Sequence, residues 1–253
     1  MLSADSDSQA HSLFISDLHL CHSRPAITGQ FLAFLAGPAK QADALYILGD
    51  FFEYWAGDDD LENQHHQTII QALATLANSG THIFFMHGNR DFLIGQAFAT
   101  AARATLLTDP TTVTLYGQRV LLSHGDALCT DDTAYQAFRQ QVRNPQWQAA
   151  FLQQPLTARK AQIESLRQKS EHEKAYKSES IMDVNTDALH ALVKAYDYPS
   201  LLIHGHTHRP ARHVLTVDGH TCIRWVLGDW YEQGSCLCLD DSGCRAIALQ
   251  NGG

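Results

Sequence analysis

The sequence predicts an α/β protein in which two mixed β-sheets pack as a sandwich, flanked by helices and interrupted by one helical insertion. Three observations carry this. Short apolar runs at residues 13–15, 45–48 and 82–86 alternate with helix-length segments, the pattern of crossover units and a parallel sheet. The pattern then changes to a hairpin and several more strand-like runs, which supply a second sheet. Residues 131–195 differ from both, being rich in Gln, Lys, Arg, Glu and Ala. With 253 residues, 45% of them hydrophobic, the chain can fill one substantial core, so residues 1–253 are expected to form a single domain with 131–195 as an insert.

Leu13-Phe14-Ile15 reads as a buried strand. Pro25 then opens a helix bearing Phe31, Leu32 and Leu35, which Gly37-Pro38 stops. Leu45-Tyr46-Ile47-Leu48 is a second strand, ended by Gly49. A helix with Ile69, Ile70, Leu73 and Leu76 closes near Gly80, and His82 to Met86 form a third strand. These strands are continuously apolar, as expected when both faces of a sheet are covered. Val113 to Tyr116, a Gly117-Gln118 turn and Arg119 to Leu122 suggest a hairpin. Residues 201–203, 223–227 and 235–239 complete the strand-like runs, and Asp131-Asp132-Thr133 marks a helix start.

A net charge of -9 argues against a general nucleic-acid binder. Within it, residues 139–177 hold eight basic and three acidic side chains, a local +5, which suggests either an anionic ligand or surface or simply a solvated helical face. The first seven residues are acidic and polar, unlike a secretory signal, and no apolar run could span a bilayer; a cytoplasmic protein is expected. The six cysteines form no C-x-x-C pair and are expected to be reduced. Cys236 and Cys238 alternate along a strand and should share one packed face.

The chemistry concentrates in five polar clusters, each following an apolar run: Asp17-Leu18-His19, Gly49-Asp50, Gly88-Asn89-Arg90-Asp91, His124-Gly125-Asp126 and His204-Gly205-His206-Thr207-His208. Carboxylates, imidazoles and an amide oxygen at strand ends are what two divalent ions need, because strands hold donors from distant parts of the chain around one small volume. In extended backbone, Asp17 and His19 point to the same side, as do the three late histidines. Asp50 could bridge two cations through its two oxygens. Asn89 could complete a shell without adding charge. Arg90 could reach phosphate oxygens in bidentate fashion, with Asp91 holding Arg90 or Asn89 and Asp126 orienting His124. Taken singly, each cluster also reads as an ordinary turn, cap or structural histidine. Five in series make coincidence improbable.

The order D-x-H, G-D, G-N-R-D, H-G, G-H-T-H resembles the calcineurin-like metallophosphoesterase superfamily from Asp17 to His208. The resemblance implies one ion held by Asp17, His19, Asp50 and His208 and a second by Asp50, Asn89, His124 and His206, with His204 outside the set. A closer resemblance lies in residues 16–21, 42–50, 87–93, 128–132, 181–185 and 203–210, which look like the UDP-2,3-diacylglucosamine diphosphatase family of lipid A biosynthesis. It implies cleavage of UDP-2,3-diacylglucosamine to UMP and 2,3-diacylglucosamine 1-phosphate, by a metal-activated water attacking the uridine-side phosphorus. It also implies two manganese ions, with iron or zinc compatible with the donors, and work at the inner face of the cytoplasmic membrane. Asp50, Asn89, Arg90, His124 and His206 would carry the reaction. Substrate contacts carry over onto Asn89, Arg90, Asp132, Ser170, Lys174, Lys177, His206 and His208. The helical insert would be a lid over two acyl chains, with Tyr135, Phe138, Trp147, Phe151, Leu152 and Leu156 sheltering them. A monomer is expected. The alternative is a phosphoesterase acting on a soluble nucleotide or a phosphoprotein.

Overall fold

The computed structural model describes residues 10–174, 183–231 and 234–249, with side chains for all of these except 169–174. The first half alternates strand and helix: β1 (Ser12–Ile15), α1 (Pro25–Ala36), β2 (Ala44–Leu48), α2 (Gln64–Asn78), β3 (His82–Met86), α3 (Gln96–Ala102) and β4 (Ala104–Leu107). The hairpin β5 (Thr111–Leu115) and β6 (Gln118–Ser123) follows, then α4 (Thr133–Val142), α5 (Pro145–Leu152), α6 (Leu156–Lys174) and α7 (Thr186–Ala195). Strands β7 (Leu201–His204), β8 (Ala211–Val217), β9 (His220–Val226), β10 (Ser235–Asp240) and β11 (Gly243–Ala248) complete the described strands.

Two mixed sheets result, in the orders β11-β10-β1-β2-β3-β4 and β5-β6-β7-β9-β8. In the first, β1, β2, β3 and β4 are parallel and β10 returns antiparallel on β1, pairing Ser12 with Leu239. In the second, β6, β7 and β9 are parallel, with antiparallel edges. The parallel strands of both sheets deliver their C-terminal ends to loops that meet.

Strand alternation divides the apolar residues among three clusters. Phe14, Tyr46, Leu48 and Met86 of the first sheet meet Val120, Leu122, Leu201 and Ile203 of the second, forming the sandwich core. The alternate residues Leu13, Ile15, Leu45, Ile47 and Phe85 face outward against Phe31, Ile69, Leu73 and Phe98 of the flanking helices, with Cys236 and Cys238 on that same face. On the other side Leu121 and Leu202 pack against Leu189 and Val193 of α7. The layers therefore run helix, sheet, sheet, helix, and both faces of each central strand are covered. That is why these strands read as unbroken apolar runs.

The helix starts are chemically specified. Asn63 caps α2, Asp132 caps α4, Asn144 caps α5 and Asn185 caps α7, each accepting from backbone N–H groups of the first turn. Helix α3 is capped from a distance: Asp58 accepts from Gly95, Ala97 and Phe98 N–H groups at 2.9–3.1 Å and from Trp55 Nε1 at 3.0 Å. The 131–195 segment thus divides. Helix α7 belongs to the sandwich, while α4, α5 and α6 lie over the loops. Arg159 of α6 is buried, donating to the carbonyls of Ala56 and Gln154 and pairing with Asp59, and Lys160 reaches Asp60 at 2.7 Å.

Candidate dimetal active site

Asp17 and His19 follow β1, Asp50 follows β2, Asn89 follows β3, His124 follows β6, and His206 and His208 follow β7. Backbone bonds bind these loops to one another: Asp17 N–H to Gly49 O (3.0 Å), His19 N–H to Asp50 O (2.9 Å) and Gly205 N–H to His124 O (2.9 Å). The loops are not extended. Asp17, His19, Asp50, His206 and His208 all have φ between 49° and 69°. The convergence expected from strand alternation is therefore achieved by left-handed turns, which cost a non-glycine residue about 1–2 kcal/mol each. Close approach explains Gly49: at φ +88° a Cβ there would lie 2.5 Å from the Gly88 backbone and 2.7 Å from His124 Nδ1.

The donors form two groups of three, Asp17 with His19 and His208, and Asp50 with His124 and His206, each with ligand atoms within 4.8 Å of one another. Asp50 faces both groups. Its Oδ2 lies 3.9 Å from His19 Nε2 and its Oδ1 lies 3.7 Å from His124 Nε2. Asn89 Oδ1 sits 3.0 Å from His124 Nε2 and 2.9 Å from His206 Nδ1. His19 Nε2 and His208 Nε2 approach to 3.4 Å, and Asp17 Oδ1 is 3.3 Å from His208 Nε2.

The buried atoms fit cations. Asp17 Oδ2 is satisfied by Ser16 Oγ–H (2.5 Å) and His206 N–H (2.9 Å), whereas its buried Oδ1 accepts no hydrogen bond from the described residues. The outward nitrogens set the tautomers: His124 Nδ1–H donates to Leu48 O at 2.8 Å and His208 Nδ1 faces Asp229 Oδ2 at 3.2 Å, leaving each Nε2 directed inward. His204 points elsewhere. It is buried, donates Nδ1–H to Gly205 O at 2.9 Å and faces Arg224 Nη1 at 3.4 Å.

Charge in the site is unbalanced. Burial, with Asp17 beside it, raises the Asp50 carboxyl. Burial, with Asp50 beside it, pushes Asp91 up to about 7. For His124 burial acts downward, but Asp50, Asp126 and Asp17 outweigh it and bring the imidazole up to about 9. For His208 burial is likewise overcome by Asp17 and Asp229, to about 10. Burial and the neighbouring His124 bring His206 down to about 3. This pocket attracts positive charge, and a divalent ion would take the place of the protons on His124 and His208.

A cavity of about 520 Å³ runs from these donors into the helices above. At the loop end it is lined by His19, Asp50, Asn89, Arg90, His206 and His208, and under the helices by Phe138, Val142, Trp147, Phe151, Ile163 and Leu166. Tyr135 bridges the two parts. Its ring stacks near His206 (5.9 Å between centroids) and its hydroxyl donates to Asp126 at 2.7 Å. Arg143 donates to Gly88 O at 2.9 Å and lies over the Phe92 ring.

Asp17, His19, Asp50, Asn89, His124, His206 and His208 are thus brought together, with Arg90 at the cavity wall. Asp132 also lines the cavity while capping α4. Ser170 and Lys174 lie on α6, where side chains are not described, and Lys177 lies outside the described residues. Two supporting roles differ from expectation. Asp91 accepts from Gly88 and Phe51 N–H groups rather than holding Arg90 or Asn89. Asp126 holds Tyr135 and Arg139, while the Leu48 carbonyl orients His124. Leu152 and Leu156 are not among the lining residues; Val142, Ile163 and Leu166 are. Sequence reasoning missed Asp229, although Gly228-Asp229 after an apolar strand repeats the Gly49-Asp50 pattern. It also missed Glu53, whose signal was a lone charge inside Phe51-Phe52-Glu53-Tyr54-Trp55.

Residues 11–210 match the calcineurin-like phosphoesterase family. The chain is 55% identical to a UDP-2,3-diacylglucosamine hydrolase of Aromatoleum aromaticum, covering 95% of this chain and 97% of that protein. It is 52% identical to a protein of the same name from Cellvibrio japonicus, covering 95% and 98%. Among solved structures it is similar to a dimetal phosphatase from Danio rerio, with a TM-score of 0.48, 10% identity and coverage of 95% and 99%. The chain belongs to the UDP-2,3-diacylglucosamine hydrolase family of calcineurin-like phosphoesterases.

Proposed function

We infer that this protein hydrolyses the pyrophosphate bond of UDP-2,3-diacylglucosamine, releasing UMP and 2,3-diacylglucosamine 1-phosphate in lipid A biosynthesis. The observation that carries this reading is the continuity of the cavity: one end holds two sets of metal donors, and the other is walled by Phe138, Trp147, Phe151, Ile163 and Leu166. A phosphoesterase acting on soluble nucleotides or phosphoproteins has no use for the apolar end. We read α4, α5 and α6 as the lid over the acyl chains, within a single domain.

Two divalent ions, held by Asp17, His19, Asp50 and His208 and by Asp50, Asn89, His124 and His206, would supply Lewis acidity and an activated water. The chain's own groups do the rest. Arg90 presents its guanidinium to the phosphoryl oxygens and counters charge that builds there. Asp50 holds the Arg90 backbone through Oδ1 at 2.8 Å, so the arginine and the donor group keep a fixed spacing. Asn89 adds a neutral oxygen to a region already crowded with carboxylates. Phe138, Trp147 and Phe151 give the other end of the cavity an apolar wall suited to hydrocarbon rather than to water. The departing sugar 1-phosphate is itself a phosphate with a second pKa of about 6, so it leaves without a proton from the protein.

Manganese is the ion that the family resemblance implies, and the N/O donor set suits it, as it suits iron or zinc. No helix among the described residues is long and apolar enough to cross a membrane. Phe138 and Leu166 at the cavity and Leu152 at the end of α5 are exposed apolar side chains, which supports uptake of a lipid from a membrane surface. The inner face of the cytoplasmic membrane and a monomer are the assignments that go with the lipid substrate. Asp132, Ser170, Lys174 and Lys177 are assigned to substrate contacts. The decisive assay compares hydrolysis of UDP-2,3-diacylglucosamine with that of UDP-N-acetylglucosamine by the manganese-loaded enzyme. A strong preference for the acylated compound is expected, and equal rates reject the lipid substrate in favour of a soluble one.

A further inference from the structure

Glu53 lies outside the donor set, yet four groups converge on it. It follows β2 by five residues and is 7% exposed. Its Oε1 accepts from Arg167 Nη2 at 2.7 Å and lies 3.8 Å from Arg90 Nη1. Its Oε2 pairs with Arg24 and lies 3.8 Å from His19 Nδ1. One carboxylate therefore faces three guanidinium groups and an imidazole from four places in the chain: the loop after β1, the start of α1, the loop after β3 and the lid helix α6.

The imidazole contact completes a pattern. His124 and His208 each have an outward nitrogen opposed by an oxygen, Leu48 O and Asp229 Oδ2, which fixes the ring while the other nitrogen faces inward. His19 Nδ1 is buried without a hydrogen bond among the described residues, and Glu53 is the carboxylate it faces. The arginine contacts add a second link. Arg90 is the group assigned to the phosphoryl oxygens, and Arg167 belongs to the helix that covers the cavity. Both bear on Glu53 Oε1, so the Arg167 turn of α6 and the Arg90 side chain meet at the same oxygen.

We propose that Glu53 is a positioning residue that joins the lid to the metal centre, orienting His19 through Oε2 and Arg90 through the oxygen it shares with Arg167. Lid seating and readiness of the phosphoryl-contacting arginine are then one event. The inference rests on the phosphohydrolase reading of the centre, but not on the identity of the lipid.

Two readouts need no substrate. Glu53→Gln keeps the shape of the side chain and removes its charge. Its affinity for Mn²⁺, measured by chelator competition, should fall by about 10- to 100-fold, the effect of losing a partner behind a ligating histidine. Amide exchange within α6 should quicken in the same variant. Arg167→Met should quicken α6 exchange to the same extent while leaving Mn²⁺ affinity within twofold, and the double variant should exchange no faster than either single one. Turnover of UDP-2,3-diacylglucosamine by Arg167→Met should fall about 2- to 30-fold, the range of coupling through such a contact. Wild-type Mn²⁺ affinity or wild-type α6 exchange in Glu53→Gln overturns the proposal. Should that variant fail to fold, unchanged α6 exchange in Arg167→Met overturns it instead. Loss of lipid preference with both effects intact would reject the substrate reading and leave Glu53 in its role.

Discussion

Asp50→Asn separates the two things this carboxylate does. The side chain is 2% exposed, and its Oδ1 accepts the Arg90 N–H at 2.8 Å, a bond that an amide oxygen preserves. What the substitution removes is negative charge between the two donor groups. The Asp50 carboxyl is raised by burial and by Asp17, so above the ordinary carboxylate range its ionised form opposes folding, and the neutral isostere is free of that cost. In chelator, Asp50→Asn should melt at or above the wild-type temperature. With metal the order reverses. One ion at a hundred times its Kd stabilises the folded chain by about 2.7 kcal/mol, and in a protein of this size each kcal/mol moves Tm by about 2–4 °C. One ion is thus worth about 5–10 °C and two ions about twice that. Because Asp50 faces both groups, Asp50→Asn should lose nearly the whole shift, whereas His208→Ala, confined to one group, should lose about half. Calorimetric melts in chelator and in excess Mn²⁺ read all three proteins. If Asp50→Asn keeps half the metal-induced shift, Asp50 serves a single ion and the bridging geometry is wrong.

Asp229→Ala leaves His208 Nδ1 without its carboxylate at 3.2 Å, and Mn²⁺ affinity should drop about 10- to 100-fold while the fold is retained, read by chelator competition and circular dichroism. His124 and His208 hold protons up to about 9 and 10, so metal must displace them; apparent affinity should climb between pH 6 and 9 with protons released on binding, measurable by titration in two buffers of different ionisation heat. Arg159→Ala strips the donor from the Ala56 and Gln154 carbonyls beneath α6, which should cost about 1–3 kcal/mol and be visible in urea melts. A change within 0.5 kcal/mol, the ordinary range for a surface substitution, would show that α6 is held by other contacts.

The donors were legible in the sequence because each sits immediately after a strand whose apolar run is unmistakable. Their convergence was legible for the wrong reason: alternation in extended backbone predicted it, and left-handed turns at Asp17, Asp50 and His206 produce it. The structure also sets His204 apart from its two neighbours, which alternation alone did not. Elements that escaped notice lack a local signature. Strands β8 and β11 lie at sheet edges and are largely exposed, so residues such as Arg212, His213 and Arg245 break the apolar pattern. Helix α3 has only seven residues and takes its cap from Asp58, almost forty residues earlier. The partners of Asp91 and Asp126 were misread because proximity in sequence was taken for contact. The bonds of Asp91 run instead to the Gly88 and Phe51 backbones, and those of Asp126 to Tyr135 and Arg139. The turn of the β5–β6 hairpin shifts by one residue, to Tyr116-Gly117, both with positive φ as a tight two-residue hairpin demands.

The central place of β1 has a consequence for synthesis. Its two neighbours are β2, made soon after it, and β10, made more than two hundred residues later. His206 and His208 likewise emerge long after Asp17. At about 5–20 residues per second, a nascent chain carries its first donors for about ten to forty seconds before the last ones leave the ribosome. Neither donor group is complete without a histidine that follows β7, so loading of the metal centre must wait until that loop has been made.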